Sequence, residues 1–188
     1  MIVKFLAPAV VTGLLLSATM SLPQAAAQQA GLDADSSFMQ MAGSLGLLQA
    51  KLGKLAEEKG SSAGVKDFGK RMVADYAKAN EELASGAKQA AFPQPVMLRQ
   101  HQQVAERFSR VGRSSFDKKY MAEIVNYSRE ALDLFQRESK GGRVESLKQL
   151  ASRMLPTLQE HLELATQTAG SVGADVTAST TSPARQGP

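Results

Sequence analysis

The stretch AFPQPVMLRQHQQVAERFSRVGRSS, residues 91–115, decides the order of this fold. Pro93 and Pro95 open it with backbone that has no N–H to give to a helix ladder. Behind them Met97, His101, Val104, Phe108 and Val111 recur at three- and four-residue steps, the pattern of a short amphipathic helix. The segment closes on VGRSS. It is too long for a tight turn between neighbouring helices, so its meaning depends on what flanks it.

Four longer stretches flank it, two on each side, and each carries an apolar stripe of helical period. From about Ser36 to Lys59 the stripe is Phe38, Met41, Leu45, Leu48, Leu52 and Leu55, with Ser36 or Ser37 as the expected cap and Gly60 as the stop. From about Ser62 to Ala90 it is Val65, Phe68, Met72, Tyr76, Ala79, Leu83 and Ala87. From about Ser115 to Ser139 it is Phe116, Tyr120, Ile124, Tyr127, Ala131 and Leu134, broken by Gly141-Gly142. From about Val144 to Ala169 it is Leu147, Ala151, Met154, Leu158, His161 and Ala165. Almost nothing alternates with period two. Each stretch would make a helix of roughly 36 Å at 1.5 Å per residue.

The links inside each flanking pair are a few residues long, so each pair is an antiparallel hairpin. The 91–114 connection is long enough to run back along the bundle. The expected fold is all-α: a ferritin-like four-helix bundle with a short crossover helix. The hairpins also echo one another. SSF at 36–38 returns at 114–116, and RMV at 71–73 returns as RML at 153–155, as one duplicated hairpin would leave them.

The ends read differently. Residues 1–27 combine Lys4, a long apolar run and a small-residue end at Ala25-Ala26-Ala27, the build of a signal peptide. Residues 28–34 are expected to be a flexible N-terminus, 35–169 the bundle domain, and 170–188 a disordered tail too poor in apolar residues to order itself. Removal of 1–27 would leave 161 residues, one domain with one core, and would lower the formal charge from +4 to +3. A periplasmic or secreted location follows, with outer-membrane association as an extension and no transmembrane span after cleavage. The chain has no cysteine, which excludes disulfides, thiolate metal sites and thiol chemistry. The mild positive charge and the expected location argue against nucleic acid as a partner.

The spans LGKLAEEKGSSAGVKDFGKRMVADYAKANEEL, FDKKYMAEIVNYSREALDLFQRES and LKQLASRMLPTLQEHLELA resemble the bacterial domain of unknown function 4142. KRMVADYAKAN and LPTLQEHL are the more specific segments, and the likeness covers about residues 34–169. It implies a secreted protein, often described as an outer-membrane protein, with a ferritin-like bundle. Many members carry histidine where this chain has Tyr76 and Tyr127, and glutamate where it has Gln49. The histidine of LPTLQEHL remains, as His161. The resemblance thus implies a scaffold able to hold a site whose usual ligands are largely replaced here.

Chemistry-bearing residues are few. A di-iron bundle needs glutamates on facing helices and Glu-x-x-His units, and none of the latter occurs. His161 follows Glu160 directly, so the two side chains diverge by about 100°. Glu57, Glu58, Asp67, Asp75, Glu81, Glu130, Asp133 and Glu145 mostly fall off the stripes and read as a solvated face. In the crossover order Gln49, Tyr76, Tyr127 and His161 fall within about two turns of one another. They are expected to satisfy each other as a buried polar network; a metal ion at His161 is the alternative, and no cofactor is predicted. His101 is expected as a packing residue, partly buried at the edge of the crossover. No nucleophile elbow, phosphate loop or dinucleotide fingerprint is present, and Gly43, Gly46, Gly53 and Gly69 are expected to let helices approach closely.

Arg99, Arg107, Arg110, Arg113, Lys118 and Lys119 stand against only Glu106 and Asp117 between residues 94 and 119, a local excess of +4. That patch is the candidate contact for an anionic envelope component, with a protein partner as the other expectation. The function expected is that of an exported, non-enzymatic envelope protein that acts by binding or supports stress tolerance. The alternative is a ferritin-like metal-binding or oxidant-handling protein centred on His161. Oligomeric state is not legible in the sequence.

Overall fold

The computed structural model describes residues 22–176. Five helices follow one another: α1 Leu22–Lys59, α2 Ala63–Gln89, α3 Arg99–Ser109, α4 Arg113–Gly141 and α5 Glu145–Ser171. No strand occurs among the described residues. The two hairpins, α1–α2 and α4–α5, are the most closely packed pairs; α1 also lies against α4, α2 against α5, and α3 against α1. The four long helices therefore form a ring in the order α1, α2, α5, α4.

Hydrogen bonds fix the direction of each helix. Lys59 Nζ, at the end of α1, donates to the carbonyls of Ser109 and Val111, which precede α4. Asp35, near the start of the bundled part of α1, accepts from Arg143 and Val144 in the α4–α5 turn. The helices α1 and α4 are thus antiparallel, and the 91–112 connection runs the length of the bundle between them, as the length of that stretch requires. Its docking is specific. Gly43 of α1 has no Cβ because Pro95 occupies that space, and Leu98 donates its N–H to Ser44 Oγ at 2.8 Å.

The hairpins finish each other's turns. Ser62 makes no side-chain cap for α2. Instead Asp117 of α4 accepts the N–H groups of Ser61 (3.0 and 3.2 Å) and Ser62 (2.7 Å). Reciprocally, Asp35 of α1 caps the entry to α5. Each carboxylate sits where a helix N-terminus favours negative charge.

Close approach also depends on glycine within the first hairpin. A Cβ on Gly53 would lie 2.8 Å from the Gly69 carbonyl, and one on Gly69 would lie 2.7 Å from the Gly53 carbonyl. The core fills the ring with Leu45, Leu48 and Leu52 of α1, Met72 and Leu83 of α2, Phe116, Tyr120 and Ile124 of α4, and Leu147 and Leu158 of α5. Phe38 and Phe135 meet edge to face at 5.1 Å.

Three expectations are corrected at the ends and along α4. Residues 28–34 are helical rather than flexible: Gln29 bonds to Asp33 one turn on, and Ser37 Oγ donates back to the Asp33 carbonyl instead of capping a helix start. The ordered chain also passes residue 170. The Ala174 N–H reaches the Ala169 carbonyl across Gly173, whose φ of 63° suits glycine, and the Val176 carbonyl accepts from Arg129. On α4 the buried stripe shifts after Ile124 to Ser128, Phe135 and Glu138, turning Tyr127 off the core axis. The expected signal peptide lies outside the described residues over 1–21, and the expected tail does so over 177–188. Helix α5 runs through Pro156, which is exposed along with Ser152, so the carbonyl that loses its helical partner is on the solvent side.

Candidate functional site

One polar chain crosses the bundle from core to surface. Gln49 on α1, Tyr76 on α2 and His161 on α5 are all buried. Gln49 Nε2 donates to the Tyr76 hydroxyl at 3.1 Å, and the Tyr76 ring lies 5.3 Å from the His161 ring at a tilt of 45°. His161 Nε2 is 2.9 Å from Asp75 Oδ2. Asp75 also accepts from Arg71 Nε at 3.2 Å, and Arg71 reaches Glu160 at 2.8 Å. Helix geometry explains the arrangement: Arg71 and Asp75 are one turn apart on the same face, while Tyr76, one residue on, turns about 100° toward the core.

The electrostatics select a protonation state. Burial lowers the His161 pKa, with Asp75 pulling the other way, so the imidazole is neutral near neutral pH. Burial alone would raise Asp75, but its bonds to His161 and Arg71 outweigh that and hold its carboxyl below the usual range. An ionised carboxylate can only accept, so the proton of His161 is on Nε2 and Nδ1 carries a lone pair. That Nδ1 is buried without a hydrogen-bond partner, as is Gln49 Oε1. Burial pushes the Tyr76 hydroxyl far above its ordinary value, so it stays a neutral donor and acceptor.

Three of the four expected network residues are brought together; Tyr127 is not. Its hydroxyl donates to Glu123 at 3.2 Å and its ring meets the edge of His101 at 6.1 Å, on the seam that α3 covers. Ser128 occupies the inward position that Tyr127 was expected to hold. Asp75 is the functional residue that the sequence reading missed, having placed it on a solvated face. The Arg71–Asp75 spacing beside a stripe tyrosine is the signal that could have found it.

His101 is fully buried, beyond the edge position expected of it. Its Nδ1 and Ser44 Oγ lie 2.6 Å apart, and burial lowers its pKa. Ser44 is 0 % exposed, and its Oγ is already taken by the Leu98 N–H and His101. This serine–histidine pair anchors the crossover and is closed to any substrate.

The other seam is more open. A groove of about 360 Å³ lies between α2 and α5, lined by Asp75, Lys78, Glu82, Arg153 and Met154 among others. Solvent reaches the network there through the carboxylate of Asp75, while His161 itself is 2 % exposed. Among the described residues no three or more His, Asp or Glu side chains converge to hold a metal ion, so the donor set does not fit the metal centre that a ferritin-like bundle implies.

The six cations of the crossover patch are all exposed, on α3, at its C-terminal end (Arg110) and on the first turns of α4. Arg107 binds Glu123 at 2.8 Å and lies 5.6 Å from the Phe108 ring. Arg110 donates to the Glu106 carbonyl at 3.3 Å. Asp117, one of the two acids in the stretch, is turned to the Ser61 and Ser62 amides.

A family model described as a domain of unknown function, DUF4142, matches residues 20–168. No curated protein and no solved structure matches the chain.

Proposed function

This chain belongs to the DUF4142 family, and from that premise we propose that it is an exported, non-enzymatic binding protein of the cell envelope whose contact face is the basic side of α3 and the start of α4. Export is supported by the basic, apolar and small-residue order of residues 1–27. No helix among the described residues is long and apolar enough to cross a membrane.

The observation that carries the reading is the fate of the charges between 94 and 119. Arg99, Arg110, Arg113, Lys118 and Lys119 are exposed, Arg107 is exposed but paired with Glu123, and Asp117 spends its charge on the α2 N-terminus. A surface of that sign attracts anionic polymers and lipid head groups within about a Debye length, ~10 Å at 0.1 M salt. Non-enzymatic action is supported by the burial of both histidines and of Ser44.

The test is sedimentation of the full chain with vesicles that contain phosphatidylglycerol, at low and high salt. Wild type should co-sediment at low salt and release at high salt. Replacing Arg107, Arg110 and Arg113 with glutamine should weaken it severalfold with the helical content unchanged. Equal sedimentation of both proteins refutes the assigned face.

The metal reading has one observation on its side, the bare Nδ1 of His161 with its tautomer fixed by Asp75. Elemental analysis of the purified protein decides it. Stoichiometric metal that is lost in His161→Ala would establish that reading, and metal-free protein of unchanged fold would retire it.

A further inference from the structure

Where α4 ends and α5 begins, two buried carboxyl groups from different helices abut the same stretch of backbone, Gly142 to Val144. Asp35 of α1 is 1 % exposed and accepts the Arg143 N–H at 3.0 and 3.1 Å and the Val144 N–H at 2.6 Å. Those donors open α5, so the charge of Asp35 is favoured there. Glu138 is in the opposite position. It belongs to the last turn of α4, whose carbonyl end disfavours a negative charge. It is 6 % exposed, and its Oε1 has no hydrogen-bond partner. The carboxyl fills the space beside Gly142, where a Cβ would lie 2.5 Å from that oxygen.

Among the described residues no cation compensates it. On the turn, the Arg143 side chain lies over Gly31 of α1. On α5, Lys148 is paired with Glu145, and on α4, Arg137 is paired with Asp133 while Lys140 is exposed. The charge that bears on Glu138 is that of Asp35. Asp35 accepts three backbone hydrogen bonds, whereas Oε1 of Glu138 accepts none, so Glu138 is the carboxyl whose burial nothing offsets.

We propose that Glu138 is a proton-operated latch on the α4–α5 turn: neutral, it seats against Gly142, next to the Arg143 and Val144 amides that Asp35 holds, and leaves that hold undisturbed; ionised, it is driven toward solvent and that hold loosens. Burial, with the Asp35 carboxylate beside it, pushes Glu138 up to about 7. A carboxyl whose folded value lies above its unfolded one binds its proton more tightly in the closed form. The contribution of Glu138 to closure is therefore fully present below the ordinary carboxyl range, declines as pH rises, and is lost above about 7. The latch favours the closed turn in acid.

The experiment is amide hydrogen exchange on the full chain, corrected for intrinsic rates, at about pH 5.5 and pH 8. Protection at Arg143 and Val144 should fall at least about tenfold between the two in wild type. Glu138→Gln should keep protection at both values and abolish the difference; Asp35→Ala, which removes the acceptor, should lose it at both. Carboxyl NMR of wild-type Glu138 gives a measurement independent of any variant and should show titration near neutrality. Wild-type protection that does not change with pH, a pH difference that survives in Glu138→Gln, amides untouched by Asp35→Ala, or a Glu138 midpoint in the ordinary carboxyl range would each overturn the latch.

Discussion

Each seam between the hairpins buries one histidine, and the two are built differently. On the α1–α4 seam, covered by α3, His101 is held by a neutral serine and flanked by Tyr127. On the α2–α5 seam, which no fifth helix covers, His161 is held by the ionised Asp75 and flanked by Tyr76. The covered seam needs only to stay closed, and a hydroxyl shared between a ring nitrogen and the Leu98 N–H does this without burying a charge. The open seam has solvent at its rim, so a carboxylate there can stay ionised, keep Arg71 on its outer side and fix the tautomer of a ring on its inner side. Burial lowers both histidines. Only one of them has a charge to work against that.

The largest effect should come from breaking the covered seam. Ser44→Val leaves the Leu98 N–H and His101 without their partner, and the loss should be about 2–4 kcal/mol by urea unfolding, with α3 amides losing protection first. On the open seam, Asp75→Asn keeps the shape but removes the charge; a loss of about 1–2 kcal/mol at pH 7 is expected.

The same pair predicts how stability depends on pH. A histidine lowered in the folded state contributes stability that is fully present above its unfolded value of about 6.5 and declines as pH falls below it. Asp75, also lowered, adds stability above its unfolded value that is lost as pH falls further. Urea midpoints from pH 7 to pH 3 should therefore drop for wild type; Asp75→Asn, which takes away the charge that opposes burial of the imidazolium, should drop more between about pH 6.5 and pH 4.5. A smaller contrast concerns the two tyrosines. Tyr76→Phe removes a buried hydroxyl bonded to Gln49 and should cost about 1 kcal/mol. Tyr127→Phe, half-buried against Glu123, should cost under about 0.5 kcal/mol. Equal costs would mean that both hydroxyls serve the same network, and the distinction between the seams would fail.

Much of this was legible in the sequence because a helix repeats its environment every few residues. The stripes of α1, α2 and α5 give those helices and most of the face each buries, although on α1 Met39 and not Met41 is in the core, and the length of 91–114 gives the direction of the crossover. What escaped depends on partners far apart along the chain. Ser36 or Ser37 read as the cap of α1, while Asp35 beside them, which drew no reading of its own, serves the entry to α5, 108 residues on. Asp75 read as surface because its partner is on another helix. Tyr127 and Ser128 are neighbours, and the stripe before them fits either; which one faces inward follows from how α4 rolls against α1 and α3. Glu138 gave no sign at all, since a lone glutamate near a helix end looks solvated until the turn closes over it.

The exchanged caps, Asp117 on the first turn and Asp35 on the second, have a consequence for how such a bundle could arise. A solitary hairpin leaves the amides of its own bend bare and carries an acid with nothing to bind. Two copies placed head to tail would complete each other, each supplying what its twin lacks, so an ancestral hairpin would have been a whole structure only as a pair. Fusing the pair through residues 91–112 would turn a concentration-dependent union into a permanent one.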